Sequence, residues 1–285
     1  MELKSPAGTL YLCATPIGNL EDVTLRVLST LRSVDFIAAE NVSRTRKLLS
    51  RYDIHKHLLT YREEEREKQG SVLIKLLAEG KSVALVSDAG IPGLSDPGHD
   101  LVVRCRAEGI PVTALPGPTA VLTALVLSGF STSRFVFEGF LPRKRIKREE
   151  ILKTLAGESR TAIFFEAPHR VRATLEECSR FLGERRLCIA RELTKTFEEL
   201  SWGTPRELAA NFKDRDTRGE ITIVIEGAAE DGAEEEERAA DCEKLIEEYQ
   251  QKGFSLKDTA RELSRTTGIG RREIYEKGLK REGKK

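Results

Sequence analysis

The chain has 285 residues, with 47 Lys and Arg against 46 Asp and Glu, so its formal net charge is only +1. At roughly 150 residues per domain this length predicts about two domains, and so balanced a charge does not by itself indicate a nucleic-acid partner. The five cysteines are widely spaced and form no Cys-x-x-Cys pair, so we expect neither a metal site nor a disulfide framework. The N-terminus lacks an apolar signal core and no run approaches the ~18 apolar residues of a membrane span, so we expect a cytoplasmic protein.

Short apolar runs alternate with helix-like segments through the first 120 residues. The strand candidates are Leu10–Ala14, Phe36–Ala39, Val83–Val86 and Ile110–Leu115. The helix candidates, which carry apolar residues at helical spacing, are Thr24–Arg32, Arg44–Tyr52 and Glu63–Glu79. This alternation predicts βα units and a parallel sheet.

Turns rich in Gly and Pro follow three of these strands. They span Ala14–Asn19, Ser87–Gly98 and Leu115–Ala120. Loops at the carboxyl ends of parallel strands form the ligand sites of open α/β sheets. We therefore expect the three turns to share one cleft.

A second α/β set follows the third turn. Its strand candidates are Phe135–Phe137, Thr161–Phe165, Leu187–Ala190 and Ile221–Ile225, and its helix candidates are Thr119–Leu127, Pro168–Leu182 and Pro205–Phe212. Proline at or near the start suits a helix N-terminus. We predict two α/β lobes, 1–118 and 119–228, followed by an acidic linker over 229–240.

Residues 241–285 predict a small helical unit. A helix over Asp241–Lys252 precedes a capping box at Ser255–Asp258, a turn at Thr267–Gly270 and a basic helix over Arg271–Leu279. From residue 251 onward there are 11 Lys and Arg against 5 Asp and Glu. This is the outline of a helix-turn-helix with a surface suited to phosphates. A dimerisation or packing module is the alternative, because the motif specifies function only loosely.

Seven motifs in this order resemble those of the ribosomal RNA small-subunit methyltransferase I family, within the tetrapyrrole methylase superfamily. They are Thr15–Leu20, Ser87–Gly90, Ser95–Gly98, Pro116–Pro118, Gly139–Pro142, Phe165–Arg170 and Arg191–Lys195. The resemblance runs from about residue 8 to 227, and the C-terminal unit is similar to the helix-turn-helix extension of that family.

The resemblance implies a two-lobed α/β fold with S-adenosylmethionine (SAM) held between the lobes. It also implies 2′-O-methylation of a cytidine in the decoding region of 16S ribosomal RNA, on the small ribosomal subunit, by a homodimer. The turn chemistry is compatible with such a donor. Glycine permits close backbone approach, and proline lowers the ordering cost of the loops.

The predicted cofactor-binding residues lie in the three turns and at the ends of later strands. They are Pro16, Gly18, Ser87, Asp88, Ala89, Gly90, Pro92, Asp96, Pro116, Gly117, Thr119, Ala120, Phe165, Glu166, Leu193, Thr194 and Glu220. For any single turn the alternative is an ordinary turn composition, since Asp, Gly and Pro dominate turns.

Methyl transfer to a hydroxyl requires its positioning and the removal of its proton. The candidates for this work are Glu40, Arg44, Glu166, Glu192 and Lys195, for each of which a surface ion pair is the alternative. The candidate RNA contacts are Arg143, Lys144, Arg145, Lys147, Arg148, Arg271 and Arg272. A solvated loop is the alternative for the 143–148 run.

The chain departs from the family pattern after its second predicted strand. The family typically has Glu-Asp-Thr-Arg there, whereas this chain has Glu-Asn-Val-Ser over 40–43 and places its arginine one position later, at Arg44. Two further functions therefore stay open beside RNA methylation. One is methylation of a small tetrapyrrole-type molecule, and the other is SAM-dependent RNA association without catalysis.

Overall fold

The computed structural model describes residues 8–213, 217–229, 244–249, 253–267 and 270–282. The chain divides into two compact units, Met1–Ala228 and Ala229–Lys285. The first unit contains two sheets and the second contains only helices within its described residues. Among the described residues, no helix is both long and apolar enough to cross a membrane.

The first sheet contains five parallel strands. They are β1 (Leu10–Cys13), β2 (Phe36–Ala39), β3 (Leu58–Thr60), β4 (Val83–Val86) and β5 (Val112–Leu115). Their spatial order is β3-β2-β4-β1-β5, and every pair is parallel. Because β1 lies between β4 and β5, the turns after these three strands emerge side by side at one edge.

Four α-helices cover both faces of this sheet. They are α1 (Leu25–Ser33), α2 (Val42–Arg51), α3 (Arg66–Ala78) and α4 (His99–Ala107), with short 3₁₀ turns at Leu20–Asp22 and Glu63–Glu65. Side-chain caps fix the first turns of α1 and α2. The Thr24 hydroxyl accepts from the Val27 amide, and the Asn41 side-chain oxygen accepts from the amides of Ser43 and Arg44. Apolar clusters lie under α1 on one face and under α3 and α4 on the other.

The second sheet is mixed. Its strands are β6 (Phe135–Phe140), β7 (Thr161–Glu166), β8 (Leu187–Arg191), β9 (Glu199–Gly203) and β10 (Ile221–Ile225), and its helices are α5 (Ala120–Ser128), α6 (Arg145–Ala156), α7 (Val171–Phe181) and α8 (Pro205–Asn211). The order is β6-β7-β10-β8-β9. Only β6 and β7 pair in parallel. Helices α6, α7 and α8 contribute to the core on one face of the sheet, and α5 packs on the other.

A single apolar cluster joins the two sheets. It contains Ile17 from the turn after β1, Val121 and Leu125 of α5, and Ile163 and Val224 of the second sheet, each at most 6% exposed. Helix α5 is therefore the structural link: it begins at the turn that leaves β5 and packs against β8 and β10. Both lobes are held together next to the edge where the three turns emerge.

The described residues of the second unit form three helical segments. They are α9 (244–249), α10 (Leu256–Thr267) and α11 (Arg271–Glu282). Ile246, Ala260, Leu263 and Ile274 form its buried core. One bond of the predicted capping box is present, since the Asp258 amide donates to Ser255 Oγ at 3.2 Å, and the Ser255 hydroxyl donates in turn to Asp258 Oδ2 at 2.6 Å. The predicted linker 229–240, apart from its first residue, and residues 268–269 of the predicted turn lie outside the described residues.

Most strand predictions agree with the structure within one or two residues, and four elements were missed. The strands at 36–39, 83–86 and 221–225 match their predicted bounds, whereas the strand predicted over 135–137 extends to Phe140. The segments 58–60, 99–107, 145–156 and 199–203 were not predicted as strand or helix. The 143–148 run, predicted to contact RNA with a solvated loop as the alternative, therefore enters a helix at Arg145.

Of the five cations in this run that we predict to contact RNA, Arg148 is buried, so the prediction is wrong for this residue. Its side chain is only 10% exposed and its Nη2 donates to Glu177 Oε1 at 2.6 Å, with Glu177 itself 7% exposed. Its Nη1 donates to the carbonyls of Pro142 and Arg143. Arg148 therefore anchors α6 to α7 and is removed from the predicted RNA contacts.

We expect Arg148→Ala to lower the free energy of unfolding by about 3–5 kcal/mol, because it leaves the Glu177 carboxylate buried without its partner. Arg145 is the matched control, since it is exposed and pairs with Glu149 at 2.7 Å. Arg145→Ala should cost less than about 1 kcal/mol. Urea denaturation measures both, and equal losses for the two variants would contradict this assignment.

Candidate active site

The three turns meet at one edge of the first sheet, as the strand order requires. Two hydrogen bonds join the first two turns: the Thr15 amide donates to the Gly90 carbonyl at 2.8 Å, and the Gly90 amide donates to the Thr15 carbonyl at 2.9 Å. The third turn packs closely against the first, because a Cβ on Gly117 would lie 2.6 Å from the Ala14 Cβ. Backbone contacts thus hold the loops together and leave several of their polar side chains free to face a ligand.

A cavity of about 370 Å³ opens between the two lobes at this edge. All three turns and the second sheet line it, which is the shared cleft that the sequence predicts. The predicted cofactor residues on its wall are Asp88, Ala89, Gly90, Asp96, Thr119, Ala120, Phe165, Glu166 and Glu220. Its volume lies within the ~300–1,000 Å³ of small-molecule sites.

A smaller cavity of about 210 Å³ adjoins the first. Pro16, Gly18, Ser87 and Lys195 line it, and Arg44, Asp88 and Glu220 line both cavities. Arg44 joins the lobes here: its Nη1 lies 3.1 Å from Asp88 Oδ2 and its Nη2 lies 3.8 Å from Glu220 Oε1. The arginine displaced by one position in the sequence therefore still reaches the cleft.

Four carboxylates surround this edge of the cleft, and we call Glu40, Asp88, Asp96 and Glu220 the carboxylate cluster. The pKa of Asp96 is raised to about 7, first by burial and then by the negative charge of Glu40, with smaller effects from Asp88 and Glu220. A hydrogen bond from Ser87 lowers the pKa but does not offset these effects. Burial also raises the pKa of Glu40. The Oδ1 atom of Asp88 is buried and has no hydrogen-bond partner within the described structure. The cluster thus carries more negative charge than its nearby cations compensate.

Lys195 and Glu192 both contact Glu220, whose carboxylate also faces Arg44. The Lys195 Nζ lies 2.7 Å from Glu192 Oε1 and 3.2 Å from Glu220 Oε2, and the Glu220 amide donates to Glu192 Oε1 at 2.9 Å. Burial alone would raise the pKa of Glu192. The hydrogen bonds from Lys195 and from the Glu220 amide outweigh this effect and lower the pKa. Glu192 and Thr194 have φ values of 53° and 65°, and such strain is retained mostly where function requires it.

Glu166 lines the cleft but is fully engaged by the protein. The residue is 2% exposed. Its Oε1 accepts from the Ala167 amide at 2.8 Å and faces Arg170 Nε at 3.2 Å, while its Oε2 accepts from the Thr174 hydroxyl at 2.6 Å. These contacts suit a residue that positions the end of β7 better than one that exchanges protons.

Several predicted site residues lie outside the two cavities. Glu40 lines a neighbouring groove with Arg62 and Asp88. The walls of the two cavities do not include Pro92, Pro116, Gly117, Glu192, Leu193 or Thr194. Leu193 belongs instead to the apolar cluster between the sheets, and the Thr194 hydroxyl accepts from the Asn19 amide at 3.0 Å. Leu193 and Thr194 thus support the cleft from behind its surface.

The structure adds residues that the sequence analysis did not assign to the site. They are Ile17, Ile91, Leu94, Ser95, Phe140, Ala167, Pro168, Gly219, Ile221 and Thr222. Phe140 and Pro168 belong to two of the seven motifs named above, so the sequence alone could have placed them in the site. Gly219, Ile221 and Thr222 reach the cleft only because β10 lies in the middle of the second sheet. Among the described residues, no group of three His, Cys, Asp or Glu side chains is arranged to hold a metal ion.

Comparison with known proteins relates this cleft to methyltransferases. The family profile "Tetrapyrrole (Corrin/Porphyrin) Methylases" matches residues 9–209. The ribosomal RNA small subunit methyltransferase I of Halalkalibacterium halodurans is 43% identical over 270 residues, which cover 94% of this chain and 93% of the relative. The chain belongs to the ribosomal RNA small subunit methyltransferase I family.

Two more comparisons refine this membership. The same-named protein of Thermotoga maritima is 47% identical over 220 residues, which cover 77% of this chain and 99% of the relative. The uroporphyrin-III C-methyltransferase of Thermus thermophilus, solved in complex with S-adenosyl homocysteine, aligns with a TM-score of 0.56 over 76% of this chain and 97% of that one, at 18% identity. The structural likeness shows the fold.

Membership of this family confirms three predictions made from the sequence. They are the two-lobed methylase fold with a helical C-terminal unit, the enzyme class of methyltransferase and SAM as the methyl donor. The assignment of individual residues to donor, acceptor or RNA remains a prediction.

Proposed function

We propose that this enzyme transfers the methyl group of SAM to the 2′-hydroxyl of a cytidine in the decoding region of 16S ribosomal RNA, and that it acts on the small ribosomal subunit in the cytoplasm. The observation that carries the proposal is the cleft between the lobes, in which a carboxylate with a pKa near neutrality faces a cavity of small-molecule size. The chain's relatives carry a ribosomal RNA methyltransferase name.

The larger cavity fits a cationic donor. When bound, SAM supplies a sulfonium methyl group, and its positive charge suits the excess negative charge of the carboxylate cluster. The unpartnered Asp88 Oδ1 offers an acceptor for a hydroxyl or ammonium group. Ile17, Phe165 and Ile221 offer apolar surface for the uncharged part of the donor. The turn backbone at Gly90 and Thr119 would approach the donor closely.

Asp96 is the carboxylate best suited to accept the proton of the 2′-hydroxyl. It lines the main cavity, and its pKa of about 7 matches the operating pH at which a general base is most effective. Glu166 is occupied by three protein contacts, and the pKa of Glu192 is lowered. Glu40, Glu192 and Lys195 act in this proposal as positioning residues around Asp88 and Glu220.

Two basic regions support contact with RNA. Arg143, Lys144, Arg145 and Lys147, which we call the basic segment, are exposed at the start of α6, close in sequence to the cleft residue Phe140. Arg271 and Arg272 are exposed at the start of α11 in the second unit, where Arg272 pairs with the exposed Glu276. Such cations neutralise phosphates and position the nucleic acid without reading its sequence.

An exposed apolar face supports the homodimer. Leu122 and Val126, one helical turn apart on α5, are 48% and 69% exposed. Large apolar side chains grouped on one helix face are typical of a protein interface. The same helix joins the two lobes, so a dimer contact on it would stiffen the cleft.

The first test is methyl transfer from labelled SAM to small ribosomal subunits that lack the modification, followed by nucleoside analysis. We expect the label in 2′-O-methylcytidine, because Asp96 can accept the proton of a hydroxyl and no cysteine is among the described residues that line the two cavities. Label in a base-methylated nucleoside, or its absence in a preparation that binds SAM, would contradict the proposal.

We expect Asp96→Asn to lower the rate of methyl transfer by about 10²- to 10⁴-fold, the usual contribution of a general base. In the wild type the rate should rise as the pH increases through about 7, since only ionised Asp96 accepts a proton. The affinity of the variant for SAM, measured by calorimetry, distinguishes proton transfer from donor binding. A variant that retains the wild-type pH profile would rule out this role.

We expect deletion of residues 238–285 to leave SAM binding intact and to weaken the interaction with small subunits. The cleft lies wholly in the first unit, and the Thermotoga maritima relative matches only 220 residues, close to the extent of that unit. Filter binding at two salt concentrations measures the effect, because lost phosphate contacts reduce the salt dependence. An unchanged rate on subunits after the deletion would refute the role of the second unit.

A further inference from the structure

Phe140 is an exposed aromatic residue at the mouth of the main cavity. It stands at the end of β6, its side chain is on the cavity wall, and the residue is 58% exposed. Because Phe140 lines a cavity of small-molecule size, its exposed ring is accessible to a ligand in the cleft. Neither donor binding nor proton transfer, as argued above, makes use of this side chain.

An irregularity of β6 directs Phe140 toward the cleft. Phe137 pairs with Ile163 and Phe140 pairs with Phe165, so β6 has one more residue than β7 between these pairs. Gly139 lies in this bulge with a φ of 64°. In a regular strand residues 137 and 140 would point to opposite faces, and the extra residue brings both to the face of Phe165. Bulges of this kind re-aim side chains beside active sites.

Three aromatic rings connect Phe140 to the core. The Phe137 and Phe165 ring centroids are 5.0 Å apart at 71°, and those of Phe140 and Phe165 are 5.4 Å apart at 55°. Phe137 and Phe165 pack against the apolar cluster between the sheets. Aromatic contacts of this geometry fix ring orientation, so Phe140 is held in place while much of its ring stays open to solvent.

The surroundings of Phe140 match the parts of a nucleotide. Leu94, which is 40% exposed, lies on the wall of the same cavity. Asp96, the proposed proton acceptor, follows two residues later on that loop. On the other side the chain continues through Pro142 into the exposed cations Arg143 and Lys144. Apolar surface for a base and a carboxylate for a ribose hydroxyl thus share one cavity wall with Phe140, and cations for phosphates follow the ring within four residues of the chain.

We infer that Phe140 is the platform on which the target nucleobase stacks once that nucleotide is turned out of the RNA into the cleft. The inference rests on the proposed function. Enzymes that modify single nucleotides extrude them and hold the base against aromatic or apolar side chains, and single-stranded bases bind by stacking on such rings. Stacking on Phe140 positions the ribose of the same nucleotide toward Asp96.

The test is equilibrium binding to unmodified small subunits in the presence of S-adenosyl homocysteine, a readout that needs no catalysis. We expect Phe140→Ala to weaken binding by about 5- to 150-fold, the range found when a stacking ring is removed. Phe140→Tyr, which keeps the ring, should stay within about threefold of the wild type. Phe140→Leu, which keeps only apolar bulk, should behave like the alanine variant. The affinity of all three variants for SAM should be unchanged.

Phe197→Ala is the matched control, because Phe197 is 72% exposed and stands outside the lining of the cavity. It should bind subunits as the wild type does. Equal binding by Phe140→Ala and the wild type, a leucine variant that binds as well as the tyrosine variant, or a loss of SAM affinity in Phe140→Ala would each overturn the inference. Tight binding by the wild type without formation of 2′-O-methylcytidine would instead refute the proposed function and leave the stacking site standing.

Discussion

The packing of α5 against the second sheet is the contact on which the site depends. This helix begins at the turn after β5 and buries Val121 and Leu125 against β7, β8 and β10, together with Ile17 from the turn after β1. One apolar cluster therefore fixes two of the three turns relative to the second sheet. Because protein interiors are close-packed, a shift of this cluster would move both walls of the cleft at once. The catalytic geometry is thus set by apolar side chains behind the polar ones.

The turns themselves use backbone contacts for their own stability and leave charged side chains uncompensated. The paired amides and carbonyls of Thr15 and Gly90 join the loops, while Asp88 pairs with Arg44 and Asp96 lies on the cavity wall. Three of the four carboxylates are partly buried and Glu220 is exposed, and their proximity leaves mutual repulsion that Arg44 and Lys195 only partly offset. The raised pKa of Asp96 reflects this repulsion together with its burial. A bound cation reduces the repulsion among these carboxylates. The negative charge of the cleft therefore favours a sulfonium compound such as SAM.

The strands and the turns were predictable because their signals are local. Buried runs such as Val83–Val86 are continuous and end in a polar, Gly- and Pro-containing turn. By contrast, α4 and α6 begin without a side-chain cap and carry charged sequences. The site was predictable where it lies in those turns. Phe140 and Ile221 reach the cleft through tertiary pairing, which no local pattern reports. Arg145 and Arg148 look alike in sequence, and only the packing of α6 on α7 makes one exposed and the other buried.

The altered segment after β2 shows how a substitution can keep its function by changing its chemistry. Asn41 replaces the usual acidic residue but still caps α2, with its carboxamide accepting from the amides of Ser43 and Arg44, a role that Asn and Asp fill about equally well. The cap fixes the first turn of the helix, and Arg44 in that turn reaches Asp88 and Glu220. Its guanidinium holds a loop of one lobe to a loop of the other. An arginine of the altered segment thus lines the cleft, so the departure from the family motif is not by itself a reason to infer loss of catalysis.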